Sequence, residues 1–144
     1  MKKSIFALFF IVAASTSMAA SAAEIKTGTP ITTTDCKLLG EQVTLNLSNN
    51  VSGAYSCDEI TSTIKVAACH KAGSRKAMDV KCAIVTQAEG DEDAVWNDPS
   101  CKETTDTFES SDYRGYVASS KGGSVAQKEL GGNCTAASAE GLLK

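Results

Sequence analysis

The chain has few of the residues on which common catalytic sites depend. Its 144 residues include one histidine, His70, and one tryptophan, Trp96. It contains no Gly-x-Ser-x-Gly nucleophile motif, no Cys-x-x-Cys thiol-exchange motif and no Cys-x-x-Cys-His haem motif. Any Ser-His-Asp or Cys-His mechanism would have to use His70, which follows Cys69 without recognisable catalytic partners. We therefore expect a non-enzymatic protein without a cofactor, in which His70 occupies an exposed turn.

Long apolar runs are also absent, except near the N-terminus. Residues 5–14 form an apolar run that is about half as long as the roughly 20 residues needed to span a bilayer. Two lysines precede this run and small residues follow it, which is the order found in a cleaved secretory signal. The pattern predicts a signal peptide over residues 1–23, cut after Ala22 or Ala23, and no transmembrane segment in the mature chain. The compact leader is typical of bacteria, so we expect export to the periplasm or the cell exterior.

The chain has no excess of positive charge, which argues against nucleic acid as a partner. The formal net charge is −3, and loss of the leader with its two lysines would change it to −5. Residues 60–88 carry five cationic side chains against one aspartate, whereas residues 89–112 carry nine carboxylates against one lysine. The two regions could neutralise each other within one molecule or pair head-to-tail between molecules. We expect a protein partner or self-association.

Cysteine, in contrast, is abundant, and all six cysteines lie in the predicted mature chain. An even number of cysteines in an exported chain predicts three structural disulfides. A zinc site is disfavoured because the shortest gap, between Cys57 and Cys69, is longer than the usual spacing of zinc ligands. Many pairings are formally possible. The positions of the strand candidates favour the pairs Cys36–Cys57, Cys82–Cys101 and Cys69–Cys134.

Six short segments have the residue pattern of half-buried strands. These are residues 43–47, 51–56, 63–68, 77–86, 113–119 and 124–130. Turn residues separate the members of each consecutive pair, so we expect three hairpins. The pattern predicts a mostly β fold, a small antiparallel sandwich or barrel of about six short strands stapled by three disulfides. An α+β domain is the alternative.

The domain limits follow from the cysteines and from local composition. Residues 24–35 are rich in threonine and predict an extended N-terminal arm. The disulfide-stapled β domain covers residues 36–134. The small, polar residues 135–144 predict a frayed C-terminal tail, in which one helical turn could form.

Residues 87–112 form a long acidic segment with little periodicity, which predicts an extended loop of the kind that often carries function. Exposed tryptophan is typical of binding hot spots, although a lone tryptophan more often packs at the edge of a sheet. The side chains that we consider as contact residues are Trp96, Asp91, Asp93, Asn97 and Asp98. Asp91, Asp93 and Asn97 also offer oxygen ligands for calcium, but their spacing does not follow the EF-hand pattern. A solvated acidic loop without a metal is the favoured interpretation.

Three functional classes remain open at this stage. The first is a non-enzymatic exported binding module that uses the 87–112 loop as its contact surface. The second is a structural subunit of an exported fibre or surface assembly, whose arm adds to the sheet of a neighbouring molecule. The third, a small secreted hydrolase with a carboxylate pair among residues 89–112, is disfavoured because the surrounding sequence is too polar to form an apolar pocket.

Overall fold

The computed structural model describes residues 21–87 and 93–144. Most of the predicted signal peptide and part of the acidic segment, including Asp91, therefore lie outside the described residues. The described part contains eleven strands and one helix. The strands are β1 (Ala22–Glu24), β2 (Pro30–Ile31), β3 (Val43–Thr44), β4 (Val51–Asp58), β5 (Thr63–His70), β6 (Met78–Lys81), β7 (Ile84–Thr86), β8 (Val95–Trp96), β9 (Thr107–Ser110), β10 (Arg114–Ser119) and β11 (Val125–Glu129), and the helix is α1 (Ala136–Gly141).

Five of these strands form one open antiparallel sheet in the order β1–β4–β5–β10–β11. The β4–β5 pair is the longest, because eight residues of each strand are in register from Val51 opposite His70 to Asp58 opposite Thr63. The remaining strands pair as three ladders, β2–β3, β6–β9 and β7–β8. With 39% strand and 5% helix, the chain is mostly β, as predicted from the sequence.

The alternation of residues along the strands places small and apolar side chains on one face of the sheet. This inner face buries Ala54 of β4, Ala67 of β5 and Val117 of β10. Leu142 and Leu143, which directly follow α1, pack against the same cluster. A second, smaller cluster is separate from the first and includes the Cys82–Cys101 disulfide. It contains Val80, Cys82, Cys101 and Phe108, with Trp96 packed against them.

The prediction of three hairpins is correct for one pair and wrong for two. β10 and β11 pair as expected. β5 instead pairs with β4 and β10, so neither of its edges is open to residues 77–86. That segment divides into β6 and β7 around Cys82, and β6 pairs with β9 because Val80 and Phe108 face each other in the second cluster. Likewise, β3 pairs with β2, and the edge of β4 that it was expected to occupy is taken by β1.

The prediction of about six strands is too low, since the arm and the acidic segment also contain strands. β1 and β2 lie in or beside the predicted arm, and β8 and β9 lie within residues 87–112. These strands have only two to four residues, which is too short to show an alternating pattern in the sequence. The arm is held to the domain by the buried side chain of Ile25, whose amide donates to the Gly53 carbonyl at 2.9 Å.

The prediction of a frayed tail is wrong for residues 135–144. Thr135 caps α1, because its hydroxyl accepts a hydrogen bond from the Ser138 amide at 3.1 Å. Ala139, Leu142 and Leu143 are buried. The tail is ordered by its few apolar side chains and by the neighbouring disulfide at Cys134, rather than by intrinsic helix propensity.

Candidate binding cleft

The six cysteines form three disulfides: Cys36–Cys57, Cys69–Cys134 and Cys82–Cys101. These are the pairs favoured by the sequence. Cys36–Cys57 attaches the arm to β4, Cys69–Cys134 attaches the tail to β5, and Cys82–Cys101 lies in the second cluster. Three disulfides indicate an oxidising environment outside the cytoplasm. The described part of the chain has no helix with the length and apolar character that a membrane span requires.

Trp96, the first of the predicted contact residues, is used mainly for packing. It lies in β8 opposite Ile84 of β7, where the pairing is irregular. Its half-buried side chain packs against the cluster that contains the Cys82–Cys101 disulfide. The ring therefore presents less free surface than an exposed hot-spot tryptophan would.

Asn97 is still less accessible, with 4% of its surface exposed. Its side-chain oxygen accepts from the Ala83 amide at 2.8 Å, and its side-chain nitrogen donates to the carbonyls of Lys81 at 2.9 Å and Gln127 at 3.0 Å. One amide group thus joins β6, the connection between β6 and β7, and β11 through main-chain groups that would otherwise need other partners. We interpret Asn97 as a structural residue and not as a ligand-contacting one.

The remaining acidic candidates do not converge on a metal site. Asp93 is exposed, and Asp98 accepts hydrogen bonds from the amide and the hydroxyl of Ser100 in a local turn. The side-chain oxygen of Asn97, a proposed calcium ligand, is already an acceptor for Ala83. Within residues 21–87 and 93–144, no three His, Cys, Asp or Glu residues are grouped as a metal ion would require.

A cleft of about 390 Å³ lies on the outer face of the sheet. The strands place Ala68, Tyr116 and Gln127 in one row across this face, on β5, β10 and β11. Residues between β5 and β6 form the facing wall together with Met78. We call this site the Tyr116 cleft. It is lined by Val51, Ala68, Cys69, His70, Gly73, Ser74, Met78, Arg114, Tyr116 and Gln127.

The floor of the Tyr116 cleft is formed largely by apolar side chains that remain accessible to solvent. Tyr116 is 55% exposed and Met78 is 46% exposed, which places both among the most exposed large apolar side chains of the described residues. Val51 and Ala68 complete this apolar surface. Accessible aromatic and Met side chains in a cleft of this size are typical of binding sites.

Arg114 fixes the wall of the cleft. Its Nε donates to the Ser110 hydroxyl at 3.0 Å and its Nη2 to the Ser110 carbonyl at 2.8 Å. The same nitrogen donates to the Lys76 carbonyl, and Nη1 donates to Met78 Sδ at 2.9 Å. All of these acceptors are uncharged, and no described carboxylate lies within 4 Å of the guanidinium. The positive charge of Arg114 is therefore not neutralised by an ion pair.

His70 lies at the end of β5, beside this wall. Its Nδ1 accepts a hydrogen bond from the Ala72 amide at 3.0 Å, so the neutral ring carries its proton on Nε2. The prediction that His70 is exposed is confirmed. His70 also lines the Tyr116 cleft, in addition to lying beside a turn.

Sequence reasoning did not identify Met78, Arg114 and Tyr116 as site residues. Alternation along residues 113–119 places Arg114 and Tyr116 on the face opposite Val117, so an exposed aromatic residue could have been inferred. Met78 could not, because the contact of β6 with this face depends on the β6–β9 ladder, which the sequence pattern does not reveal.

A second cleft of about 260 Å³ lies near the turn between β4 and β5. Its lining is mainly polar and includes Ser56, Thr63 and Lys65. The buried hydroxyl of Thr86 also lines it and has no hydrogen-bond partner among the described groups. Without an exposed aromatic or Met side chain, this cleft is a weaker candidate for binding a partner.

Comparison of the chain with protein-family models, with curated proteins and with solved structures found no match.

Proposed function

We propose that the mature chain is an exported, non-enzymatic binding module that contacts its partner through the Tyr116 cleft. Export follows from the leader pattern over residues 1–23 and agrees with the three disulfides. The compartment that we propose is the bacterial periplasm or the cell exterior.

The observation that carries this proposal is the exposure of Tyr116 and Met78 within one cleft. Burying such side chains against a partner is favourable by about 25 cal/mol for each Å² of apolar surface removed from water. The cleft is also built on paired strands, and Cys69, which helps to line it, is bonded to Cys134. A surface held in this way loses little conformational entropy on binding.

The 87–112 segment is a weaker contact surface than the sequence suggests. Trp96 packs against the second cluster and Asn97 bonds three main-chain groups. Exposed carboxylates such as Asp93 remain. Exposed charges of this kind usually contribute more to the association rate than to affinity.

The alternative of a fibre subunit depends on an arm that is free to join a neighbouring molecule. Here Glu24 lies opposite Ala54 of β4, and Ile25 is buried. The arm would have to give up these contacts before it could bind elsewhere, so we rank this alternative second.

Site-specific photo-crosslinking tests the proposal. A benzoylphenylalanine side chain is introduced in place of Tyr116, or in place of Ile60 as a matched exposed apolar control. The oxidised proteins are then illuminated with the exported fraction of the source cells. We expect a discrete product from position 116 that excess unlabelled protein suppresses, and no such product from position 60. A third variant carries the same side chain in place of Asp98. Crosslinked products from this variant, with none from position 116, would show that the acidic segment is the contact surface and would contradict the proposal.

A further inference from the structure

We propose that the Tyr116 cleft binds an acidic peptide segment in which an apolar side chain lies next to a carboxylate. This inference rests on the proposed function and specifies its ligand. It follows from the polar groups of the cleft, from the charge of its rim and from its apolar floor.

The polar side chains at the cleft are mainly hydrogen-bond donors. Neutral His70 carries its proton on Nε2, because Nδ1 accepts from the Ala72 amide. Arg114 adds a positive charge without a carboxylate within 4 Å among the described residues. A set of donors beside an unneutralised cation is complementary to an acceptor that carries negative charge, such as a carboxylate.

The rim adds further positive charge. The connection between β5 and β6, residues 71–77, contains Lys71, Arg75 and Lys76 and no acidic residue. All three side chains are exposed, and the Arg75 guanidinium lies 4.9 Å from the centre of the Tyr113 ring. Glu129 lies opposite Arg114 in the β10–β11 register but forms no ion pair with Arg114. The charge of the rim therefore complements an acidic ligand.

The apolar floor of the cleft indicates that the ligand has an apolar side chain as well as a carboxylate. Met78 and Tyr116 present exposed apolar surface in the same cleft as these polar groups. A ligand with carboxylates alone would leave this surface in water. A peptide that places a Leu or Phe side chain beside its acidic residues satisfies both parts of the cleft.

The test is a titration of the oxidised protein with three blocked peptides, followed by fluorescence anisotropy. The first peptide is Gly-Glu-Glu-Leu-Phe-Glu-Glu-Gly, the second has glutamine in place of each glutamate, and the third has serine in place of Leu and Phe. We expect binding of the first peptide, and binding of the other two that is at least about ten-fold weaker, which corresponds to about 1.4 kcal/mol. Added salt should weaken binding of the first peptide more than that of the second.

Matched variants locate the binding site. Tyr116→Ala should weaken binding of the acidic peptide about ten-fold, whereas Ile60→Ser should leave it unchanged. Ile60 is a matched control because both side chains are exposed. Lys71→Gln/Lys76→Gln should reduce the salt dependence, and Lys26→Gln/Lys102→Gln, which changes two exposed lysines elsewhere, should not.

Each contrary result has a distinct meaning. Equal binding of the glutamine peptide at the Tyr116 cleft would overturn the acidic ligand and leave the binding module intact. Equal binding of the serine peptide would overturn the apolar anchor. No binding of any peptide would overturn the inference, and the crosslinking result at position 116 would then decide the proposed function separately. If 3-phenylpropionate bound as tightly as the acidic peptide, the result would show that the cleft does not require a peptide ligand, and the inference would be wrong.

Discussion

Asn97 shows how one short side chain can connect parts of a molecule that has little apolar core. Its amide group satisfies one main-chain donor and two main-chain acceptors from β11 and from both sides of Cys82. The sequence could only indicate that an asparagine lies among carboxylates, which favours a solvated or ligand-binding residue. Its buried position depends on partners that are 14 to 30 residues away in the chain, and residue type alone does not reveal such partners.

Asn97→Ala should lower the free energy of unfolding by roughly 3 kcal/mol, because it leaves buried main-chain groups without partners. Asp98→Ala, next to it, should cost much less, since Asp98 bonds only within a local turn. Urea unfolding of the two oxidised variants would check this difference. Equal losses would indicate that the bonds of Asn97 are replaced by water.

Asp35 and Asp58 are two carboxylates with a pKa below the ordinary value. Hydrogen bonds from Thr32 lower the pKa of Asp35, through the Thr32 amide first and then the hydroxyl. Hydrogen bonds from Thr61 contribute most to lowering the pKa of Asp58, and the Ile60 amide adds to them. In both cases the unfolded chain binds the proton more tightly than the folded chain.

The stability contributed by these two carboxylates is therefore present above the ordinary aspartate pKa and is lost as the pH falls through the lower folded-state pKa. Asp35→Asn/Asp58→Asn should unfold at lower denaturant concentration than the parent at pH 6, and this difference should shrink as the pH is lowered towards 3. Urea midpoints measured across this range test the sign. A difference that grows on acidification would contradict the assignment.

At the scale of elements, the packing of the end of α1 against the sheet depends on a glycine in β10. A Cβ atom at Gly115 of β10 would overlap with Leu142 Cδ1, and it would also lie 3.1 Å from the Ala68 carbonyl oxygen. Leu142 is buried in the main cluster. The absence of a side chain at position 115 therefore allows the end of α1 to pack against the sheet.

Gly115→Ala should destabilise the protein by about 1–3 kcal/mol, the usual cost of overpacking. Leu142→Ala alone should cost about 2–5 kcal/mol through the cavity that it creates. The double variant should cost less than the two changes together, because truncation of Leu142 makes room for the new methyl group. Strict additivity in a double-mutant cycle would show that the methyl group added at position 115 is strained by the Ala68 carbonyl instead.

The three disulfides differ in the length of chain that they close. Cys69–Cys134 spans 65 residues, whereas Cys36–Cys57 spans 21. In the chain-entropy account, loops of these lengths correspond to about 4 and about 3 kcal/mol of stabilisation, respectively. Cys69 and Cys134 also attach the tail to β5.

Cys69→Ser/Cys134→Ser should therefore lose about 1 kcal/mol more stability than Cys36→Ser/Cys57→Ser. It should also release the tail, which would appear as faster amide exchange at Ala139 and Leu142. Equal losses, with slow exchange retained in α1, would show that packing alone holds the tail in place.

For the whole molecule, local patterns predicted more than long-range pairings. The mostly β class, a strand that begins at Val51 and the β10–β11 hairpin follow from alternation and turn residues, which are local properties. Which strand lies beside which depends on buried contacts between distant residues, such as Val80 with Phe108. For the same reason the sequence points to the acidic segment as the contact surface, whereas the fold assembles a cleft from β5, β6, β10 and β11.

We propose that the folded domain needs no strand from a neighbouring molecule and that its open cleft binds a different molecule. Size-exclusion chromatography with light scattering, on the oxidised mature protein at low and high salt, tests this claim most directly. We predict the mass of one chain at both salt concentrations, because Ile25 of the arm is buried and its amide donates to the Gly53 carbonyl of the same molecule. Large assemblies that dissociate in salt would contradict the claim and would favour a subunit that polymerises through its basic and acidic regions.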